Sequence, residues 1–177
     1  MLTDEQLMLD FQRGSKEAFT ELFVRYREPI YGYFRRRLAD AARAEELAQE
    51  TFLAVLRAVT RYEPRALFRT YLYGIALLQL VAERRRGAHR VAILDRTAAD
   101  PPAAGDTEAT VAVRQALDKL GPEEREVFML REYEQLSYAE IAALQRVPIN
   151  TVRSRLFRAR LAMKELLVSP RAARRAV

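Results

Sequence analysis

The stretch LSYAEIAALQRVPINTVRSRLFRARLAMK, residues 136–164, constrains this chain more than any other, because helix start and stop signals follow one another in it in strict order. Ser137 followed by Glu140 is a capping box: the hydroxyl accepts from an orphan backbone N–H and the carboxylate reaches back to the N–H of the cap residue. A helix is therefore predicted from Tyr138. Ile141, Ala142 and Leu144 give it an apolar side, and Pro148 drives Val147 out of the helical region, so the helix ends by about Arg146. A second helix is predicted from near Asn150, with Val152, Leu156, Ala159 and Met163 recurring on one face while Arg153, Ser154, Phe157, Arg158 and Arg160 project mostly elsewhere. From Ile141 to Lys164 there are six basic residues and no acid. A solvated helix mixes its charges for solubility, whereas a one-signed helix after a tight turn suits a phosphate-lined groove, where each neutralised phosphate releases a counterion. The pattern is that of a helix-turn-helix facing DNA; a basic hairpin packed on another domain or on an acidic membrane is the alternative.

The remaining composition is consistent with a polyanion partner. Thirty Lys and Arg against 24 Asp and Glu give a formal charge of +6, and only Lys16, Lys119 and Lys164 are lysines. Arginine is the side chain for bidentate contact with phosphate or guanine, although a GC-rich genome also favours its codons. Half of the residues are hydrophobic and only six Gly and seven Pro occur, so the chain as a whole is expected to fold. With no cysteine and a single histidine, His89, thiolate and histidine-cluster metal sites are ruled out, and no metal or cofactor is expected. An enzyme is not expected either, since His89 falls in a linker-like stretch beside Arg90 and no phosphate-cradling glycine loop occurs. The opening MLTDEQLMLD is acidic where a secretory signal is basic, and no run approaches the roughly 20 apolar residues of a membrane span, so a cytoplasmic chain without membrane insertion is expected.

Strand signals are scarce and helical periodicity recurs, which predicts an all-α fold of two small helical domains joined by a flexible linker, the second containing the helix-turn-helix. Thr3 and Gln6 form a capping box for a first helix that Gly14 ends, and Ser15 caps a second bearing Phe19, Leu22, Phe23 and Tyr26. Pro29 is expected to break or kink it before a third segment, Ile30 to Leu38. Asp40 is placed to cap a fourth running to about Val59, Arg61 to Pro64 reads as a loop, and an apolar helix follows from Leu67 to about Arg86. DPPAAGD lies in a stretch of weak periodicity, which sets the expected boundaries: a domain at 1–87, a linker at 88–107, a domain at 108–168 and a frayed basic tail at 169–177.

Four segments in register, GSKEAFTELFVRYREPIYGYFRRRL, AEELAQETFLAVLRA, RYEPRALFRTYLYGIA and the long GPEEREVFMLREYEQLSYAEIAALQRVPINTVRSRLFRARLAMKELL, make the chain resemble an extracytoplasmic-function sigma factor over nearly its whole length. The resemblance implies a transcription initiation factor that binds core RNA polymerase, directs it to promoters and helps to melt them. It also implies that Asp40, Glu46, Gln49, Glu50 and Phe52 dock on the coiled coil of the polymerase β′ subunit. The residues agree in part: Glu45, Glu46, Gln49 and Glu50 form an acidic surface in a basic protein, which suits a basic protein partner, or is an ordinary solvated face. Minus-ten recognition and melting are implied for Arg61, Tyr62, Arg65, Phe68, Arg69 and Tyr71, since an aromatic ring or an arginine plane returns stacking energy to a flipped base. Phe68 and Tyr71 also fit as core residues of an amphipathic helix.

Minus-thirty-five recognition is implied for Asn150, Thr151, Arg153, Ser154, Phe157 and Arg158, with Arg153 and Arg158 foremost and Arg155 and Arg160 on phosphate or in solvent. The chain departs from the family pattern where Tyr71 replaces a tryptophan and Leu77 and Leu78 replace an arginine and an asparagine, with Gly74 at a commonly polar position. An altered minus-ten preference is the expectation there. Gln145 and Arg146 stand where the family's turn has an apolar residue and a glycine. By analogy, an anti-sigma partner is expected; a helix-turn-helix regulator acting without polymerase is the competing reading.

Overall fold

The computed structural model describes residues 2–93 and 107–173, with side chains described at 2–87 and 107–168. Eight α-helices and one 3₁₀ turn, and no strand, occur among the described residues. The chain divides into two compact units, Met1–Ala98 and Ala99–Val177.

The first unit packs α1 (Asp4–Gln12), α2 (Lys16–Arg35), α3 (Ala41–Ala58) and α4 (Phe68–Ile93) around a core of Leu7, Met8, Leu22, Ile30, Phe34, Leu47, Leu72 and Leu80. The caps fall where the sequence puts them. Thr3 and Gln6 exchange their reciprocal bonds, Ser15 accepts from the Ala18 N–H, and Asp40 accepts from Ala42 and Arg43. Gly14 follows α1 with φ +108°, a conformation that costs a residue with a Cβ but not glycine.

Pro29 does not end α2, and Ile30 to Leu38, expected as a third segment, is part of α2 as far as Arg35; the helix is continuous through Lys16–Arg35. Proline removes one ladder hydrogen bond, but Leu22, Ile30, Tyr33 and Phe34 are all buried where α2 packs on α1, α3 and α4, and that burial outweighs the lost bond. Two ends also run past their expected limits. The fourth helix continues through Gly87 to Ile93, and the last one reaches Ala173, into the stretch expected to fray. A single helical glycine costs only about 1 kcal/mol, too little to stop a long helix by itself. Most of the expected linker, residues 94–106, and the side chain of His89 lie outside the described residues.

The second unit consists of α5 (Glu108–Asp118), α6 (Pro122–Glu132), α7 (Tyr138–Gln145) and α8 (Ile149–Ala173). The last helix packs against the other three, burying Val152, Leu156, Ala159 and Met163, the four positions its periodicity assigns to the core. Ala116 and Leu120 meet Ala159 and Met163, flanked by Val113, Leu117, Phe128 and Leu166. The capping box of α7 is complete, with Ser137 N–H donating to Glu140 at 2.8 Å and Glu140 N–H donating to the Ser137 hydroxyl at 3.2 Å. Its other end closes on Arg146, which takes the left-handed conformation at φ 56° and ψ 45°. That geometry explains the glycine usual in related turns, since a Cβ is disfavoured there. Replacing Arg146→Gly should therefore raise stability by about 1 kcal/mol in reversible denaturation; a loss of that size would show that the side chain contributes more than its backbone costs.

Candidate nucleic-acid interface

In the second unit the turn between α7 and α8 exposes one face of the second helix. Asn150, Arg153, Ser154, Phe157 and Arg158 are exposed and Thr151 is half-buried, so the sequence-assigned surface is a contiguous outward stripe opposite the core stripe. Phe157 is 70% exposed, a large ring held among polar groups. Arg153 donates to the Asn150 side-chain oxygen at 3.0 Å, and the Ser154 hydroxyl donates to the Asn150 carbonyl at 2.9 Å.

The segment free of acids in the sequence is not free of acids in space. Helix α6 lends three glutamates: Glu123 to Arg155 at 2.5 Å, Glu124 to Arg158 at 3.0 Å and Glu132 to Arg160 at 2.7 Å. Arg155, only 15% exposed, is thereby a brace between helices rather than a solvent or phosphate contact. Arg160, half-exposed, is likewise tied to Glu132, which holds the Arg160 guanidinium above its ordinary range. Glu124, bonded by its own backbone N–H and then by Arg158, is held below the usual carboxylate range. The sequence places Glu123 and Glu124 in the first turn of α6 and Glu132 at its end but does not show their partners, because pairing across 28 to 34 positions depends on how the helices pack.

In the first unit, the loop between α3 and α4 begins with the 3₁₀ turn Val59–Arg61 and is fastened by α1 at both ends. The Gln12 amide donates to the carbonyls of Val59 at 2.8 Å and Tyr62 at 3.2 Å, and the Glu5 carboxylate accepts from the Phe68 N–H at 2.7 Å. These two fasteners were not legible in the sequence. Tyr62, Phe68, Tyr71 and Tyr26 form a cluster of edge-on and tilted rings with centroids 5.3 to 6.3 Å apart.

The cluster buries two of the expected base-stacking candidates. Tyr62 is 5% exposed and Phe68 1%, so both rings are covered by neighbours. Arg61 and Arg65 are exposed, Arg69 and Tyr71 are half-buried, and Arg65 pairs with Glu63 at 2.6 Å. Burial pushes the Tyr62 phenol up to about 12, with Glu5 adding to it, and burial also raises Tyr71. Leu78, where the family pattern has a polar residue, is 71% exposed, and Leu77 is half-buried.

On α3, Glu45, Glu46 and Gln49 are exposed and Glu50 is half-buried. Asp40 is exposed and caps the helix through its Oδ1, whereas Phe52 is buried edge-on against Phe23. The acidic surface is also less acidic than its sequence: Arg43 reaches Glu46 at 2.7 Å, Glu50 at 3.5 Å and Glu83 of α4 at 2.7 Å. Thr51 donates to Gln79 at 2.7 Å in the same seam. Leu53 and Leu56 stand exposed beside the acids and give the face an apolar component. No group of acids or histidine able to hold a metal ion, and no helix long and apolar enough to cross a membrane, occurs among the described residues.

The two halves of the chain match two family models in the same order: Sigma-70 region 2 over residues 22–90 and Sigma-70, region 4 over residues 110–163. The RNA polymerase sigma-H factor of Pseudomonas aeruginosa is 36% identical, covering 93% of each chain. The ECF RNA polymerase sigma-E factor of Escherichia coli strain K12 is 32% identical over 92% of this chain and 93% of its own. Among solved structures, CnrH in complex with the cytosolic domain of CnrY superposes with a TM-score of 0.73 at 25% identity, covering 94% of this chain and 97% of that one. The chain belongs to the ECF RNA polymerase sigma factors of the sigma-70 family. It is accordingly a transcription initiation factor whose partners are core RNA polymerase and promoter DNA.

The Tyr62 hydroxyl is buried without a hydrogen-bond partner among the described residues. An unsatisfied buried donor costs about 1 to 3 kcal/mol, so Tyr62→Phe should stabilise the first unit by about 1 kcal/mol. A loss of similar size in thermal denaturation would show that the hydroxyl has a partner in solution.

Proposed function

We propose that the second unit reads the minus-thirty-five element through Asn150, Thr151, Arg153, Ser154, Phe157 and Arg158. The observation that carries this reading is the two-sided character of α8: a fully buried apolar stripe holds it, and the opposite stripe presents two arginines, a hydroxyl and an exposed ring. Arg153 and Arg158 suit guanine edges or phosphates, and the Phe157 ring suits a thymine methyl in the major groove.

The first unit, in the same reading, engages core polymerase and the minus-ten element. Exposed Glu46 and Gln49, half-buried Glu50 and the neighbouring Leu53 supply the docking face on the β′ coiled coil, while Asp40 and Phe52 hold the helix in place beneath it. At the minus-ten loop, Arg61, Arg65, Arg69 and Tyr71 form the accessible rim, and Tyr62 and Phe68 support it from below. Leu77 and Leu78 leave that surface poorer in polar groups, which favours an altered base preference there. The boundaries 1–87, 88–107, 108–168 and 169–177 assign these roles along the chain, which works in the cytoplasm as a non-enzymatic factor. A regulatory partner that holds it inactive, an anti-sigma protein, is the natural counterpart, because the similar CnrH is seen with the cytosolic domain of CnrY bound.

Transcription in vitro with purified core polymerase on genomic fragments tests the whole reading. Discrete start sites that depend on the added chain are expected, and their absence would overturn it. Within that assay, Glu46→Lys should weaken core binding by roughly tenfold or more, through charge repulsion on the docking face; unchanged affinity would move the docking face elsewhere.

A further inference from the structure

Glu124 stands in a specific relation to Arg158. Its Oε1 accepts from Nε at 3.1 Å and lies 3.0 Å from the adjacent terminal nitrogen, so the carboxylate sits against the side edge of the guanidinium. Guanidinium carries five N–H donors in a rigid plane, and occupying that edge leaves three, including the end-on fork made by both terminal nitrogens. That fork is the geometry that fits the O6 and N7 acceptors of guanine.

The carboxylate is itself seated. Glu124 is in the first turn of α6, and its Oε2 lies where residue 121 has no side chain: a Cβ built on Gly121 would be 2.5 Å from it. Gly121 has φ −57° and ψ 148°, which any residue adopts, so its bareness serves the carboxylate and not the backbone. Arg158 therefore has its orientation determined from α6, before any DNA is met.

We infer that Glu124 is a positioning residue for promoter specificity: seated against Gly121, it holds Arg158 with its outer fork free, so that one base pair of the minus-thirty-five element is discriminated. This inference rests on the reading of α8 as the minus-thirty-five helix. The role differs from that of Glu123, whose partner Arg155 is nearly buried, and of Glu132, whose partner Arg160 stands two residues beyond Arg158 and so on the other side of α8 from it. Preorganisation lowers the entropy lost when a long side chain is ordered on binding, and it favours the base that matches the fixed fork over bases that need another rotamer.

The test uses the full chain bound to core polymerase and a duplex library randomised across the upstream element, with enrichment read at every position. Arg158→Ala identifies the base pair that Arg158 reads. Glu124→Gln and Gly121→Ala should each lower discrimination at that same base pair by roughly fivefold or more, with the other positions retained. Gly121→Ala keeps every charge and only displaces the carboxylate, so agreement between the two variants separates positioning from a change of net charge. Glu132→Gln, which removes a comparable ion pair on the flank, should leave that base pair's preference as in the parent. If Arg158→Ala abolishes the preference while Glu124→Gln and Gly121→Ala keep it, the inference is overturned and the reading of α8 survives. If Arg158→Ala changes no position, both are overturned. Circular dichroism melts of the four variants establish that each is folded.

Discussion

The division of α8 into a buried apolar stripe and an exposed polar one is the constraint on which the second unit depends. Val152, Leu156, Ala159 and Met163 are closed against α5, α6 and α7, which fixes the rotation of the helix about its own axis. Once that rotation is set, Arg153, Ser154, Phe157 and Arg158 have no direction to take except outward. A polar substitution in the buried stripe would thus disturb the outward face as well as the core, since both are consequences of one packing choice.

Electrostatics then refines what packing has set. Six basic residues in one stretch of sequence imply a uniformly positive surface, yet three arginines of α8 are matched with glutamates of α6. The Arg155–Glu123 pair braces the helices, but exposed ion pairs contribute little to stability, commonly under about 1 kcal/mol, so stability is a weak explanation for the pairs of Arg158 and Arg160. Orientation is a better one, because a carboxylate that takes one edge of a guanidinium decides which edge is offered to a ligand. The first unit follows a similar logic: Gln12 and Glu5 of α1 fasten the ends of the loop whose rim carries Arg61, Arg65 and Tyr71, and Arg43 links α3 to α4 through Glu83.

Local signals in the sequence were transparent where the physics is local. The capping boxes at Thr3 and Ser137, the caps at Ser15 and Asp40, and the core stripe of α8 all depend on residues within a turn or two of each other. Pro29 misled because its cost is local, whereas the burial of Ile30, Tyr33 and Phe34 that offsets it is tertiary. The aromatic loop was ambiguous for a related reason: periodicity cannot say whether Tyr62 and Phe68 face outward or the core, and in the fold Phe68 meets Tyr26 of a distant helix while Tyr62 meets Phe68. The pairings of Arg155, Arg158 and Arg160 were beyond reach for the same cause, as was the reduction of the α3 acidic face by Arg43.

Binding to core polymerase is the property on which the proposed DNA-facing roles of both units rest. Titrating a fluorescently labelled full-length chain with purified core RNA polymerase, without DNA, measures it directly. Saturable one-to-one binding, competed by the unlabelled chain, is the predicted result. Failure to saturate, with DNA binding by the free chain intact, would contradict it and leave an independent helix-turn-helix regulator in its place.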